Sequence, residues 1–387
     1  MMKRFAFVIA LVLASAPVLA ELSQFTAGRV QRANTLQQEE KLDEAIALLK
    51  DLDPSRAYDQ AFVQRMLGVF YWQQGNLSPA IDYLSKAVKS GLLQDEQAWV
   101  TQRMLADILL SDEKFKQALP HYYALTKSIP DTQKADELWL RIAQAHYQVE
   151  EWQPVLKAIE QHKRFASKVD VQPLTIKLGA QLQLKQWKAS IPTLEALIAL
   201  EPEKVVWWQQ LAGIQLRLGQ SKNTLGTLAM AKRQGVELSQ QDLKTLGQLY
   251  AQNGVPERAA RLYAELDNAE TDKELVSTQA QYWQMAKEWE KAIGLWQLAA
   301  KLDSQYRWPL AQLLLQEGHY EAALAQLNKV SDRKREVEVE LAKVRAYYKL
   351  TDFEQAIIHA KRADNIKSSS ASQSWIKYLS QMRKMNS

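Results

Sequence analysis

Apolar residues recur along the chain at helical spacing, and short polar stretches interrupt them at regular intervals. The pattern is clearest in residues 243–266, which read LKTLGQLYAQNGVPERAARLYAEL. On each side of the Asn-Gly step, apolar side chains lie three or four positions apart and so share one face of a helix. Because Asn-Gly marks a turn, the stretch predicts two helices packed together as a hairpin.

The same hairpin pattern recurs along most of the chain. Residues 64–87 repeat the Leu-Gly-x-x-Tyr motif, the glycine turn and the small residue of the second helix. Small side chains let two antiparallel helices approach closely, and a hydrophobic or aromatic residue three positions earlier fills the space beside them in most copies. This small site of the second helix recurs every 31 to 38 residues, at Ala45, Ala80, Ala118, Val155, Ser190, Thr224, Ala259, Ala292, Ala323 and Ala356.

This unit resembles the tetratricopeptide repeat, a helix–turn–helix hairpin of about 34 residues. The resemblance covers residues 22–365 and implies an all-α superhelical solenoid of about ten hairpins, which we assign to residues 21–366. Such an array has no single central core, because each hairpin packs on its neighbours. The fifth hairpin departs from the pattern, since Gly179 as its small site implies a turn one residue short. Residues 367–387 are predicted to form a polar turn and a capping helix; a partner-binding amphipathic helix is the alternative.

Residues 1–20 have the features of a Sec signal peptide. Lys3 and Arg4 precede an apolar stretch, and small residues lead to Ala20, after which we expect cleavage. The expected location is therefore the periplasm, with an uncleaved membrane anchor as the alternative. No later stretch is long and apolar enough to span a membrane.

The charge balance changes little once this segment is removed. Loss of Lys3 and Arg4 reduces the 49 basic residues to 47 against 44 acidic ones, so the net charge falls from +5 to +3. A balance so close to neutral gives no support to nucleic-acid binding. The chain contains no Cys, which excludes disulfides, thiolate metal sites and cysteine nucleophiles.

The sequence shows no pattern of catalytic or metal-binding residues. The five histidines are scattered among the repeats without metal-ligand spacing, and each is expected to be structural or exposed to solvent. There is no glycine-rich phosphate loop and no GxSxG motif. We therefore expect no enzyme activity, no cofactor and no metal; an enzyme would require polar residues from distant segments to converge.

In the family that the pattern resembles, first helices line a concave groove in which partners bind. The resemblance therefore implies that residues just before and after the small site of each first helix face a partner. Most of them are polar, with Gln frequent, which suits hydrogen bonds to an extended peptide or protein segment. The candidates are Arg65, Val69, Trp72, Arg103, Asp107, Leu110, Gln144, Tyr147, Gln209, Lys244, Gln248, Gln281, Trp308 and Gln312.

Two details of this surface can be judged from sequence. The family's carboxylate clamp needs paired Lys and Asn on first helices, but Val30 stands where its Lys belongs, so a clamp is not supported. Four tryptophans are less well explained by the repeat pattern than the rest, and groove contact and packing both remain open for them: Trp72, Trp99, Trp207 and Trp308.

The features together predict an exported scaffold that binds proteins. A signal segment followed directly by repeats, without another domain, resembles the exported repeat proteins that accompany TonB–ExbB–ExbD energy-transduction systems. That resemblance implies a supporting role in TonB-dependent transport, with TonB, ExbB or ExbD components as possible partners. The alternative is an assembly factor for envelope polymers or outer-membrane proteins.

Overall fold

The computed structural model describes residues 22–386, with the side chains of Asp95 and residues 384–386 left out. The predicted signal segment, residues 1–20, lies outside the described residues. Within the described part the chain is all-α, and its helices form two compact units, one ending at Leu200 and the other beginning at Glu201. We call these the N-terminal and C-terminal units and describe each by itself.

Each unit is built of five helical hairpins. The N-terminal unit contains α1 (Gln24–Gln38), α2 (Leu42–Lys50), α3 (Ala57–Gln73), α4 (Leu77–Ser90), α5 (Asp95–Ser111), α6 (Phe115–Leu125), α7 (Ala135–Gln148), α8 (Trp152–Phe165), α9 (Val171–Gln183) and α10 (Trp187–Leu200). The C-terminal unit contains α11 (Val205–Arg217), α12 (Ser221–Arg233), α13 (Gln240–Gln252), α14 (Pro256–Tyr263), α15 (Lys273–Met285), α16 (Trp289–Leu302), α17 (Arg307–Gln316), α18 (Tyr320–Leu327), α19 (Glu336–Lys349), α20 (Phe353–Ile366) and α21 (Ser370–Asn386). Short 3-10 turns at Ser304–Tyr306 and Arg333–Arg335 precede α17 and α19.

The ten turns inside the described hairpins share one geometry. Each consists of three residues, and the middle one has a positive φ. Glycine occupies this position in four turns, where the left-handed conformation costs it nothing. The other six carry a side chain there: Glu40, Glu113, Glu150, Lys185, Lys287 and Thr351. The stacking of the two helices therefore imposes the turn even where the local sequence disfavours it.

The small sites are where paired helices touch most closely. All ten predicted second-helix sites, from Ala45 to Ala356, have no exposed surface. On the facing first helices, a Cβ added to Gly68 would lie 2.5 Å from Leu84 Cγ, and one added to Gly247 would lie 2.6 Å from Tyr263 Cε2. Neighbouring bulky side chains thus occupy the space that the missing Cβ leaves.

The expectation of a shortened fifth hairpin is wrong. Its turn has the same three residues as the others, between Gln183 and Trp187. Leu178, twelve residues before the small site Ser190, occupies the facing position and is buried. Gly179 has a different role, since a Cβ there would lie 2.6 Å from the Tyr147 hydroxyl of the preceding hairpin.

The core of each unit is divided into clusters that link neighbouring hairpins. In the N-terminal unit, one cluster joins Leu22 through Phe70 and another joins Ala80 through Ala180. In the C-terminal unit, separate clusters center on residues such as Leu246, Trp296 and Leu327. This arrangement distributes stability among nearest neighbours, as expected for a repeat array.

The last helix, α21, closes the apolar end of the tenth hairpin. Leu379 has no exposed surface and packs with Val344 and Ile357. Trp375 lies against Tyr348, with ring centroids 5.4 Å apart. Among the described residues, no helix is long and apolar enough to cross a membrane.

Candidate functional site

Three of the candidate residues line one cavity in the N-terminal unit. Leu110 on α5 and Gln144 and Tyr147 on α7 border a space of about 770 Å³. The next hairpin completes its wall from α9, with residues that the sequence did not single out: Gln172, Thr175 and Ile176. Three successive hairpins therefore contribute to one site, which is the arrangement expected for contact with an extended ligand.

The sequence could have pointed to the α9 residues. Thr175 lies three positions before Leu178, which is the true small site of α9. No candidate came from this hairpin, where Gly179 suggested a different register. With Leu178 as the reference, the same rule that selects Arg65 and Arg103 also selects Thr175.

A network of charged and polar side chains lies beside this cavity. Arg103 Nε donates to Asp107 Oδ2 over 2.9 Å, and the Tyr122 hydroxyl donates to Asp107 Oδ1 over 2.5 Å. Arg141 Nε lies 3.9 Å from Asp107 Oδ1, and another of its nitrogens donates to Gln144 Oε1 over 3.2 Å. Burial and the charge of Asp107 raise the pKa of Tyr122, so its hydroxyl remains a donor at neutral pH. This network holds Gln144 at the cavity wall.

Arg65 extends the basic character of this surface to α3. Its Nε donates to the Thr101 hydroxyl over 3.0 Å, and its guanidinium lies 5.9 Å from the Phe62 ring centroid. Burial lowers the pKa of Arg65, because desolvation disfavours the charged form. Among the described residues, no carboxylate lies within ion-pair distance of it.

We use the term N-terminal first-helix face for the surface formed by Arg65, Arg103, Asp107, Leu110, Arg141, Gln144, Tyr147 and Thr175. Val69 is not part of it, since this side chain is only 5% exposed and packs in the core between hairpins.

Trp72 is partly buried and packs against the neighbouring core cluster. Trp99 and Trp207 are buried, with their indole nitrogens donating to Leu125 O and Glu201 Oε2. Packing therefore accounts for these two tryptophans.

The C-terminal first-helix face carries the remaining candidates, Gln209, Lys244, Gln248, Gln281, Trp308 and Gln312. Gln209 Nε2 donates to Asp242 Oδ2 over 2.7 Å, whereas Gln248 and Gln281 are exposed. Lys244 and Gln312 are half-buried. Trp308 lies under the Arg335 guanidinium, 5.6 Å from its ring centroid, beside a cavity of about 310 Å³.

The hairpins and the surface can now be compared with known proteins. A model of the tetratricopeptide repeat matches residues 66–90, which include the end of α3 and the whole of α4. The matched segment has the same turn length, small sites and helix pairing as the other described hairpins. The described chain is thus an all-α array of hairpins, one of which matches the tetratricopeptide repeat at residues 66–90.

Several solved structures are similar to this repeat protein. A tetratricopeptide repeat protein from Parabacteroides merdae is 14% identical over 68% of this chain and 100% of its own, with a TM-score of 0.39. The C-terminal part of a repeat protein from Cytophaga hutchinsonii is 16% identical over 71% of this chain and 95% of its own, with a TM-score of 0.39. Naa15/Naa10 bound to HypK is 14% identical over 92% of this chain and 59% of its own, with a TM-score of 0.45. No curated protein matches the chain.

Two buried histidines of the repeats pair with carboxylates. His146 lies between Tyr123 and Glu151, with Nε2 2.7 Å from the tyrosine hydroxyl and Nδ1 2.6 Å from Glu151 Oε2. The order of hydroxyl, imidazole and carboxylate is that of a nucleophile, its base and an orienting acid. However, burial and the charge of Glu151 raise the pKa of Tyr123, which keeps its hydroxyl protonated. The three side chains join α6, α7 and the turn that follows α7.

The second histidine pair belongs to the last hairpin. His359 Nδ1 lies 2.6 Å from Glu340 Oε2, and Lys343 Nζ donates to Glu340 Oε1 over 2.9 Å. The His359 ring stacks on Tyr347 with centroids 5.2 Å apart. Within the described residues, no group of three or more Asp, Glu or His side chains is placed to hold a metal ion.

Proposed function

We propose that this protein is a scaffold whose N-terminal first-helix face binds an extended segment of a partner protein, without catalysis, cofactor or metal. The cavity of about 770 Å³ supports this proposal, because three successive hairpins line it. A ligand that follows the stack can contact each hairpin in turn. A cavity that extends along successive helices is typical of peptide recognition rather than of small-molecule turnover.

The side chains in the cavity suit a peptide backbone flanked by apolar residues. Gln144 and Gln172 each offer an amide donor and an amide acceptor, which can pair with backbone C=O and N–H groups. Leu110, Phe115 and Ile176 provide apolar contact beside them. The network around Asp107 fixes Gln144 in advance, and this reduces the entropy lost on binding.

We further propose that the protein acts in the periplasm and supports TonB-dependent transport. The signal-like residues 1–20 support export, and the resemblance to repeat proteins of TonB–ExbB–ExbD clusters supports the partner. In this role the first-helix face would hold a periplasmic segment of the TonB complex and position it for force transfer. The alternative is that the same face holds components for assembly of envelope polymers or outer-membrane proteins.

The experiment compares two threonine-to-arginine variants in crosslinked pull-downs from the producing cells. Thr175 lines the cavity, and its hydroxyl donates to Val171 O over 2.9 Å. Thr278 on α15 makes the same kind of bond to Glu274 O over 2.7 Å, so Thr278→Arg is a matched control in the C-terminal unit. We expect Thr175→Arg to block the cavity and abolish partner recovery, while Thr278→Arg leaves it unchanged.

The identity of the recovered proteins decides between the two roles. TonB, ExbB or ExbD components support the transport role, and peptides tiled over their periplasmic parts should then bind the pure protein in a Thr175-dependent way. Synthase, peptidoglycan-associated or barrel-assembly proteins favour the alternative. Equal recovery with both variants would contradict the proposed binding face itself.

A further inference from the structure

A second cavity of the N-terminal unit opens where α8 is connected to α9. It has a volume of about 470 Å³ and is walled by α8, the connecting residues and parts of α9 and α10. Its floor is apolar, formed by Ile159, Pro173, Leu174, Pro192 and Ala196. The cavity is lined by residues other than those of the first-helix cavity, so its occupancy is independent of the proposed peptide binding.

The rim of this cavity carries an excess of one positive charge. Lys163, Lys168 and Lys177 line it together with Glu160 and Asp170. Lys168 Nζ lies 3.9 Å from Asp170 Oδ2, whereas Lys163 and Lys177 have no carboxylate within ion-pair distance among the described residues. Lys163 lies in the last turn of α8, where the negative end of the helix dipole favours a positive charge. The dipole does not explain the charge of Lys177, which is half-buried in the middle of α9.

A buried histidine adds an unused polar atom. His162 is 9% exposed and lines the cavity, and its Nδ1 lies 2.8 Å from Asp136 O. A hydrogen on Nδ1 satisfies that carbonyl and leaves Nε2 available for a ligand. Nε2 can accept from a carboxylic acid or, when protonated, donate to a carboxylate.

The surroundings of the cavity favour a ligand that is both apolar and anionic. Asp170, the N-cap of α9, lines the cavity but makes no capping hydrogen bond. Val169, which lines the cavity, is 63% exposed and leaves apolar surface beside it open to a ligand.

We propose that this cavity binds a monoanionic amphiphile of the fatty-acid class. The hydrocarbon tail lies on the apolar floor, and the carboxylate faces Lys177 and Lys163 near His162. An excess of one positive charge matches a single carboxylate better than a dianionic phosphate. The exposed side chain of Val169 contacts the part of the tail that leaves the cavity.

Calorimetric titration of the full chain with dodecanoate, below its micelle concentration, tests this proposal. We expect saturable binding of one dodecanoate, with much weaker binding of butyrate, which lacks the tail, and of dodecyltrimethylammonium, which has the opposite charge. Lys177→Gln should weaken binding by about tenfold, because it removes a partly shielded charge next to the carboxylate. Lys188→Gln, an exposed residue of α10 outside the cavity, should change binding less than about twofold.

Ala196→Trp provides a second test, because the indole fills the floor and should abolish saturable binding. Circular dichroism shows whether each variant keeps its helices, and Lys177→Gln remains decisive if Ala196→Trp does not fold. Equal binding of dodecyltrimethylammonium, equal effects of the two lysine variants, or binding that survives Ala196→Trp would overturn the proposal. Tighter binding of an acidic amphipathic peptide that displaces dodecanoate would assign the cavity to a protein ligand instead.

Discussion

The residue after the small site of a first helix has different surroundings on α5 of the N-terminal unit and on α15 of the C-terminal unit. On α5 that residue is Asp107, which accepts hydrogen bonds from Arg103 and Tyr122 and lies near Arg141. In the C-terminal unit the equivalent residue of α15, Gln281, is exposed. The same repeat position therefore carries a preorganised charged network in one unit and a solvated amide in the other.

This difference shows that the repeat determines where a side chain points but not what it does. The small sites beneath both faces are equally buried, from Ala106 and Ala118 to Ala280 and Ala292. Packing thus tolerates little variation, whereas the surface positions above it are free to diverge. Binding chemistry in this protein is expected to differ between units even though the hairpins do not.

The largest expected effect is on the Asp107 network. Asp107→Ala leaves the buried Tyr122 hydroxyl without its acceptor and Arg103 without its carboxylate. We expect the free energy of unfolding to fall by about 2 to 4 kcal/mol, the range for a broken, partly buried charge network. Gln281→Ala, the matched change in the other unit, should alter it by less than about 0.5 kcal/mol. Urea denaturation checks both, and similar values would erase the distinction between the two faces.

The buried packing positions should behave alike in both units. Gly68→Ala places a methyl group 2.5 Å from Leu84 Cγ, and Gly247→Ala places one 2.6 Å from Tyr263 Cε2. Each is expected to lower the unfolding free energy by about 1 to 3 kcal/mol through overpacking. The control is Gly213→Ala on α11, where nothing lies within 4 Å of the new Cβ. It should raise stability by about 0.5 to 1 kcal/mol by improving helix propensity. Thermal unfolding of the three variants tests this, and a tolerated Gly68→Ala would contradict the close approach.

Glu340 is a largely buried carboxylate of the C-terminal unit, and its contribution to the free energy of unfolding should depend on pH. Burial alone would raise the pKa of Glu340, but hydrogen bonds from His359 and Lys343 outweigh it and hold this pKa below its ordinary value. A lowered folded-state pKa means that the stabilisation is complete above the unfolded pKa of about 4.3 and is lost as the pH falls through the folded value. Glu340→Gln should therefore cost about 1.5 kcal/mol at pH 7 and progressively less as the pH falls through the folded-state pKa. Melting curves across this range check the sign, and a loss that grows toward acid pH would contradict it.

The smallest effect is expected at the turns. Thr351 combines a positive φ of 62° with a β-branched side chain, which is the least favourable combination for the left-handed region. Thr351→Gly should stabilise the C-terminal unit by about 1 kcal/mol, and Lys185→Gly in the N-terminal unit by less, because its side chain is unbranched. Gly219→Ala puts a side chain at a turn position with positive φ that glycine now fills without strain. It should therefore lower the stability of the C-terminal unit. Differential scanning calorimetry can resolve these changes, and stabilisation by Gly219→Ala would show that the turns are not strained.

Much of the fold followed from spacing alone. Leu42, Phe115 and Trp289 each stand three residues before a small site, and each is the first residue of a second helix in the structure. This worked because a helix pair needs close approach at one point, and few side chains are small enough to allow it. The error in the fifth hairpin has the same origin. Gly179 looked like the small site, but Leu178 fills that position and the glycine instead accommodates Tyr147 of the preceding hairpin.

The candidate binding residues were less predictable. The family pattern selected Gln144 and Tyr147, which line one cavity, yet it also selected Val69, which is buried in the core. It passed over Arg141, which lies one position out of phase and still reaches Asp107 and Gln144. The spacing of residues predicts only the direction in which a side chain points from its own helix. Whether a side chain is covered or joined to another depends on the hairpin stacked against it.

The sequence by itself determined the hairpins and most of their close contacts, because these depend on residues twelve or fewer positions apart within one helix pair. Only the tertiary structure decided which polar residues converge. The network at Asp107 joins α5, α6 and α7, and the cavity beneath the α8–α9 connection joins residues of three helices. Such sites are set by the stacking of one hairpin on the next, and that stacking sums many weak contacts that no local pattern records.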